Sequence, residues 1–444
     1  MERGNKMNQT KPILGLKDKP NASQWITLSL QHLFAMFGST VLVPYLIGLS
    51  PAIALISSGL GTLAFLLITK FKVPAYLGSS FAFIAPMIAA QKLGGPAAAM
   101  IGTFIAGLVY GIVALIIKKA GYRWIMNLLP PIVVGPVIMV IGLALAGTAV
   151  GQAMYENNGT PDQHYSLLYL SVALVTLLAT ILFTIFGKGV FSFIPILAGI
   201  IVGYLYALLV GVVDFQGVID AKWIAMPDFI LPFRDYDLTL DSAILALFVP
   251  VAIVTLAEHI GHQLVLSKVV GKDYIKDPGL HRSILGDGSA TLISSLIGGP
   301  PKTTYGENIG VLAITRVYSV YVLAGAAVFA ILFGFIGKIT ALIQSIPTPV
   351  MGGVSILLFG IIASSGLRIL VEAKMDFSKN RNLVIASVIL VTGIGGASIH
   401  IGSDFKLEGM ALAAILGIIL NFVLPGRDKA TDDLFEEEAV DETK

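Results

Sequence analysis

The sequence predicts an all-α, polytopic membrane protein, and three observations carry that prediction. Of its 444 residues, 56% are hydrophobic and 13% charged, where a soluble domain carries about 25% charged residues. Apolar runs recur from Trp25 to Leu424, at 97–117, 167–187, 189–212, 318–337 and, shorter, 383–396. At about 20 residues per crossing there is room for roughly 12–14 crossings. Basic residues, finally, gather in alternate connections. A β-barrel would instead show alternating segments of about ten residues.

The first stretch, "MERGNKMNQTKPILGLKDKP", is polar and basic. It has neither an apolar stretch nor a small-residue cleavage site, so it reads as a cytoplasmic segment over 1–22 and not as a signal peptide. Lys and Arg then cluster at Lys70/Lys72, Lys118/Lys119/Arg123, Lys188, Lys268–Arg282 and Arg368–Arg381, while 151–166 and 213–238 carry few. Placing the N-terminus in the cytoplasm places nearly all of these clusters there too. Both ends are then cytoplasmic and the number of crossings is even. The last stretch, "GRDKATDDLFEEEAVDETK", reads as an acidic, solvated cytoplasmic tail over 426–444. The chain has no cysteine, which excludes disulfides and thiolate metal sites, and its net charge of +2 gives no reason to expect a nucleic-acid partner. The partner this composition demands is the lipid bilayer.

Two halves echo each other. "YLGSSFAFIAPMIAA" places Ser79, Ser80 and Phe81 on a short, Gly/Pro-bounded run, and "TTYGENIG" repeats hydroxyl, hydroxyl, aromatic at Thr303, Thr304 and Tyr305. "PPIVVGPVIMVIGLALAG" from Pro130 is echoed by "IPTPVMGGVSILLFGIIASSG" from Ile346 at a similar offset. Two echoes in the same order argue for internal duplication. Paired, interrupted apolar segments mark the binding site of a secondary transporter. The backbone is partly non-helical there and must be satisfied by protein, water or ligand.

Three ionisable side chains lie deep in apolar sequence. Glu258 and His262 in "VTLAEHIGHQLVL" are four apart and share a helix face; Glu307 is the third. An acid at the bilayer centre costs about 2.5–3.5 kcal/mol on insertion scales, so such groups face a cavity and mark a substrate or proton path. The bland alternative is a buried Glu–His pair that only locks two helices. Two nearby carboxylates resist joint ionisation, so at least one should hold a proton, and His262 can relay it. "EHIGH" approaches a zinc-protease motif, but its histidines are three apart where H-E-x-x-H needs four, and no metal site is expected. No nucleophile set or nucleotide fingerprint appears, so no enzyme activity and no cofactor is expected. His32, in "LSLQHLFAMFG", is either a helix–helix hydrogen-bond donor or lies just behind the site. His164, His281 and His400 read as solvated loop residues. The 47 glycines serve close helix packing.

"QHLFAMFG", "PAYLGSSFAFIAP", "AEHIGH", "DPGLHRS" and "TTYGENIGVLAITR" together resemble the nucleobase–cation symporters (the nucleobase/ascorbate transporter family), and within it the uracil carriers, from about Leu28 to Pro425. The most specific element is Glu307-Asn308-x-Gly310 with Thr315-Arg316. The resemblance implies 14 transmembrane spans in two inverted 7-span repeats, with short strands in two broken spans at 76–84 and 303–308. It implies a core domain (23–122 and 239–343), a gate domain (123–238 and 344–425) and a homodimer in the plasma (inner) membrane. It further implies uracil import with a proton as coupling ion. Glu258 and Glu307 would hydrogen-bond the base, backbone groups at Phe81 and Gly306 would contact it, and His262 would serve proton coupling together with Glu258.

The chemistry fits independently. Uracil offers two N–H donors and two carbonyls; carboxylates accept the former, exposed amides donate to the latter, and Phe81 or Tyr305 can stack on the ring. His32, Ser80, Asn308 and Phe359 are expected to support these contacts, with Phe359 standing where some uracil carriers have a tyrosine hydroxyl. A symporter for another nucleobase such as xanthine, or an anion carrier of the same fold, is the alternative. Relatives that carry xanthine tend to have Asp at the position of His262 and Gln at that of Glu307.

Overall fold

The computed structural model describes residues 12–192, 194–401 and 405–426; the first eleven residues and the acidic tail lie outside them. In the first half, α1 (Ala22–Leu46) and α2 (Pro51–Ile68) lead into β1 (Leu77–Ser79), a 3-10 turn (Phe81–Phe83) and α3 (Ile84–Ala120). There follow α4 (Arg123–Leu128), α5 (Pro131–Leu143), α6 (Ala146–Met154), the hairpin β2 (Tyr155–Glu156) and β3 (His164–Tyr165), α7 (Leu167–Phe186), α8 (Pro195–Leu209) and α9 (Gln216–Asp220). The second half runs α10 (Ser242–Val270), α11 (Leu280–Leu296), β4 (Lys302–Thr304), α12 (Gly306–Thr315), α13 (Val320–Gly334), α14 (Gly337–Gln344) and α15 (Thr348–Glu372). It closes with α16 (Asn380–Ile394), the hairpin β5 (Ser398–Ile401) and β6 (Phe405–Glu408), and α17 (Gly409–Val423).

Among the described residues, seven helical stretches are long and apolar enough to cross a bilayer, and four more apolar helices are shorter. The run read as 318–337 yields a helix of 15 residues, and 189–212 yields a 3-10 turn before another of 15. At 1.5 Å per residue, 15 residues reach about 22 Å, less than a 30 Å hydrocarbon core. The difference arises because Gly and Pro end helices that hydropathy alone would continue.

Around the β1–β4 pair, α3 packs on α10 and α11, α2 on α11 and α13, and α1 on α13. A second set joins α5, α6, α7 and α8 to α15, and α16 to α17 and α5, and α10 touches members of both sets. Glycine allows the closest crossings. A Cβ on Gly366 in α15 would come within 2.4 Å of the Gly135 carbonyl oxygen in α5, and one on Gly135 within 2.9 Å of the Gly366 oxygen. Gly366→Val is therefore expected to destabilise the fold by about 1–3 kcal/mol, the usual cost of overpacking. Gly147→Ala, with nothing within 4 Å of the new Cβ, is the control. Thermal melting in detergent compares the two, and equal melting temperatures would show that α5 and α15 can separate at no cost.

The three histidines read as loop residues correct that reading in part. His164 lies in β3, exposed and 3.3 Å from the Glu156 carboxylate; His400 lies exposed in β5; His281 is half-buried in the first turn of α11. Two-residue hairpin strands and helix first turns carry too little periodicity to be seen in sequence.

Candidate functional site

Both interrupted segments fold the same way: a three-residue strand, then a short helix of about ten residues. β1 and β4 pair antiparallel with Leu77 opposite Thr304, Gly78 opposite Thr303 and Ser79 opposite Lys302. Ser80 N donating to the Pro301 oxygen (2.9 Å) and Tyr305 N donating to the Tyr76 oxygen (3.2 Å) extend the pairing by one bond at each end. The strands are shorter than the expected 76–84 and 303–308. Phe81 opens the 3-10 turn, and Gly306 is the first residue of α12. The first helix after β1 ends at Gly94 and Gly95, where the backbone leaves helical angles ahead of Pro96.

A two-stranded ribbon has two open edges, which are costly at membrane depth. Here threonine hydroxyls close them. Thr62 of α2 accepts from Leu77 N at 2.9 Å, and Thr291 of α11 accepts from Lys302 N at 3.1 Å while donating to its carbonyl at 3.2 Å. Neither threonine stands out in sequence.

Six of the predicted residues, Glu258, His262, Glu307, Gly306, Tyr305 and Phe81, line one cavity of about 360 Å³. That lies within the range of small-molecule sites. Glu258 and His262 sit one turn apart on α10, while Glu307 is the second residue of α12. The carboxylates therefore arrive from separate segments. Glu307 Oε1 accepts from Ser39 Oγ at 2.8 Å; Glu258 Oε2 is buried without a protein partner among the described residues. The N-termini of the 3-10 turn and of α12 meet at this cavity, and their first amides have no acceptor within the helix. Backbone donors thus lie beside carboxylate acceptors. A Cβ on Gly306 would sit 3.1 Å from His262 Nε2, so glycine keeps this approach open.

Tyr305 lines the cavity but spends its side chain elsewhere. Its hydroxyl donates to the Ser79 oxygen at 3.1 Å, and its ring lies where a Gly78 side chain would be. Phe81 is the other aromatic residue lining the cavity. Phe359 meets Phe81 edge-on, with centroids 6.1 Å apart, and contributes no hydroxyl. Phe81 also lines a second cavity of about 230 Å³, whose wall includes Glu408, so one residue borders both cavities. His32, Ser80 and Asn308 are buried outside the cavity lining; Asn308 Nδ2 donates to the Pro74 oxygen at 3.3 Å, and its side chain faces His32.

Sequence reasoning missed a buried chain behind the site. His262 Nδ1 lies 3.4 Å from Thr304 Oγ1, which lies 3.5 Å from His259 Nδ1. His259 holds Asp287 through Nδ1 (2.8 Å) and Ser283 through Nε2 (2.9 Å). Both His259 nitrogens are thus engaged, so His259 and His262 do not present a shared pair of free nitrogens to a metal. Lys302, also missed, is fully buried.

The chain is 72% identical to the uracil permease of Bacillus caldolyticus over 431 residues, covering 97% of this chain and 99% of that one. It is 62% identical to the uracil permease of Bacillus subtilis (strain 168) over 432 residues, 97% and 99% respectively. Among solved structures, the murine Solute Carrier 26 family member A9 anion transporter in the inward-facing state matches with a TM-score of 0.67. That match covers 91% of this chain and 68% of that one at 10% identity, a likeness of fold alone. The model of the permease family matches residues 23–402; this chain belongs to that family, and it is a transporter rather than an enzyme.

Proposed function

We propose that the protein imports uracil together with a proton by alternating access. The observation that carries this reading is the convergence of Glu258 and Glu307, from two separate segments, on a cavity bordered by helix N-termini and Phe81. Two acceptors beside backbone donors and an aromatic face complement a flat, neutral imide. Near-full-length identity to proteins named uracil permease supports the same substrate. An anion carrier, whose fold the chain shares, needs free cationic groups; this cavity presents two carboxylates, and the Arg368 on its wall is paired with Glu372 at 2.7 Å.

In this reading the chain forms 14 spans in two inverted repeats of seven, with β1 and β4 as the broken spans. The core comprises 23–122 and 239–343 and the gate 123–238 and 344–425. Two copies associate through the gate in the plasma membrane, with both ends cytoplasmic. That Phe81 borders two cavities supports alternating access: moving core against gate would open one side as the other closes. The dimer is checked by mass measurement in detergent and in lipid, where monomers alone would remove it.

The substrate is tested by labelled uracil uptake against xanthine, hypoxanthine, guanine, thymine and 5-fluorouracil. Thymine and 5-fluorouracil keep both the imide and the single ring, whereas xanthine carries the imide on a larger fused ring, so the two pyrimidines should compete best among these. Stronger competition by xanthine than by unlabelled uracil would reassign the substrate. Phe81→Ala should weaken binding by about 1–3 kcal/mol, the usual worth of aromatic stacking on a base, while Phe81→Tyr keeps most of it. Equal affinity in wild type and Phe81→Ala, measured on purified protein, would remove the stack.

A further inference from the structure

Lys302 is the buried ionisable side chain that the proposed transport cycle does not use. It lies in β4 with its side chain fully buried, at the register position opposite Ser79. Its Nζ donates to the Ala54 carbonyl oxygen at 3.2 Å, to Ser58 Oγ at 3.0 Å and to Ser79 Oγ at 3.3 Å. Among the described residues no carboxylate lies within ion-pairing distance of it. Three neutral oxygens, one carbonyl and two hydroxyls, therefore surround the Lys302 Nζ. That is the ligand chemistry a hard cation selects. An ammonium has three donors to place on these three acceptors.

The position matters as much as the chemistry. The three oxygens come from α2 and β1, while Nζ comes from β4, so this one nitrogen ties all three elements together. β1 leads directly into Phe81, and β4 leads through Tyr305 into Gly306 and Glu307. Whatever holds the strands in register there also sets the spacing of the two helix N-termini at the cavity.

We propose that Lys302 is a tethered monovalent cation: its ammonium occupies an oxygen cradle between α2, β1 and β4 and performs the positioning that a free alkali-metal ion would perform. It is a positioning residue, acting on substrate through Phe81 and Gly306. Shortening the side chain leaves the cradle oxygens in place and frees the space of the side-chain stem. A free monovalent cation, such as sodium with its remaining waters, then takes the ammonium's place. The transport readout rests on the uracil reading above, whereas the cradle itself does not.

The test uses the full chain, as wild type, Lys302→Ala and Lys302→Met, purified and in proteoliposomes. Each is measured in about 100 mM sodium chloride against the same concentration of choline chloride. In choline, Lys302→Ala should lose about tenfold or more in uracil uptake and should regain most of it in sodium. Its melting temperature should rise by about 2 °C or more with sodium, by linkage of cation binding to stability. Wild type, with its ammonium in place, and Lys302→Met, which fills the cradle without charge, should show neither response. Lys302→Ser takes the place of Lys302→Ala if the latter does not fold. Wild-type uptake by Lys302→Ala in choline would overturn the proposal, as would melting and uptake in both short variants that ignore the identity of the cation. If wild type takes up no uracil, the substrate reading has failed, and the melting comparison still decides the cradle.

Discussion

Glu258→Gln and Glu307→Gln are each expected to weaken uracil binding by about 0.5–3 kcal/mol, from the worth of a hydrogen bond to a protonated carboxyl up to that of one to a charged carboxylate, or roughly 2- to 150-fold in affinity. Each amide keeps the shape of the acid but offers one acceptor oxygen where the carboxylate offered two, and it brings an N–H₂ toward a ligand edge that is itself a donor. Glu307 is the more exposed to this loss. Its Oε1 already accepts from Ser39 Oγ at 2.8 Å, and a glutamine has one oxygen to serve both that hydroxyl and the ligand. Glu258 has no protein partner on its buried Oε2, so its replacement breaks no existing contact at that atom and should leave the fold intact. Isothermal titration of the purified variants, with melting temperature as the control for folding, separates the cases. Wild-type affinity in either folded variant removes that residue from the site.

His262→Ala should impair uptake against a gradient far more than binding or downhill exchange. Uracil is neutral, so the membrane potential alone cannot concentrate it. One co-transported proton moves one charge, worth about 2.3 kcal/mol per 100 mV, and this supports roughly 40-fold accumulation at about 1.4 kcal/mol per decade. The proton needs a site whose occupancy changes with that of the substrate. Glu258 and His262 line the same cavity one turn apart, and a proton shared between them answers that need. Behind them, Thr304 reaches both His262 and His259, and His259 is held on Asp287, so His262 has a polar surround on the side away from the ligand. Proteoliposomes with an imposed pH gradient allow accumulation, exchange and binding to be measured on one preparation. Wild-type accumulation by His262→Ala would leave His262 a packing residue and move the coupling elsewhere.

Local sequence signals gave the class of fold and six of the residues that line the cavity. Hydropathy demanded membrane helices, and two Gly/Pro-bounded runs announced that the helix is abandoned twice. The insertion cost of Glu258, His262 and Glu307 meant that a cavity had to receive them. These inferences work because hydrophobic transfer and helix interruption are properties of a short stretch of chain. The cost of placing an acid in an apolar run can be judged before its partners are known.

What the tertiary structure decided is where polar groups find those partners. His259 meets Asp287 across 28 residues of sequence, and Lys302 meets Ser58 across 244. No periodicity records such pairings, since each depends on which helices are brought against which. Thr62 and Thr291 look like ordinary helix residues until a strand edge is laid beside each of them. Tyr305 was in the right place by sequence, yet only the packing of its ring over Gly78 shows that its hydroxyl belongs to the scaffold. The extents of β1 and β4 follow the same rule. A strand of three residues lasts only as long as its partner runs beside it, and that partner lies more than 200 residues away in the other half of the chain. The sequence determined that polar groups must be accommodated inside an apolar protein; long-range packing alone determined which groups accommodate them.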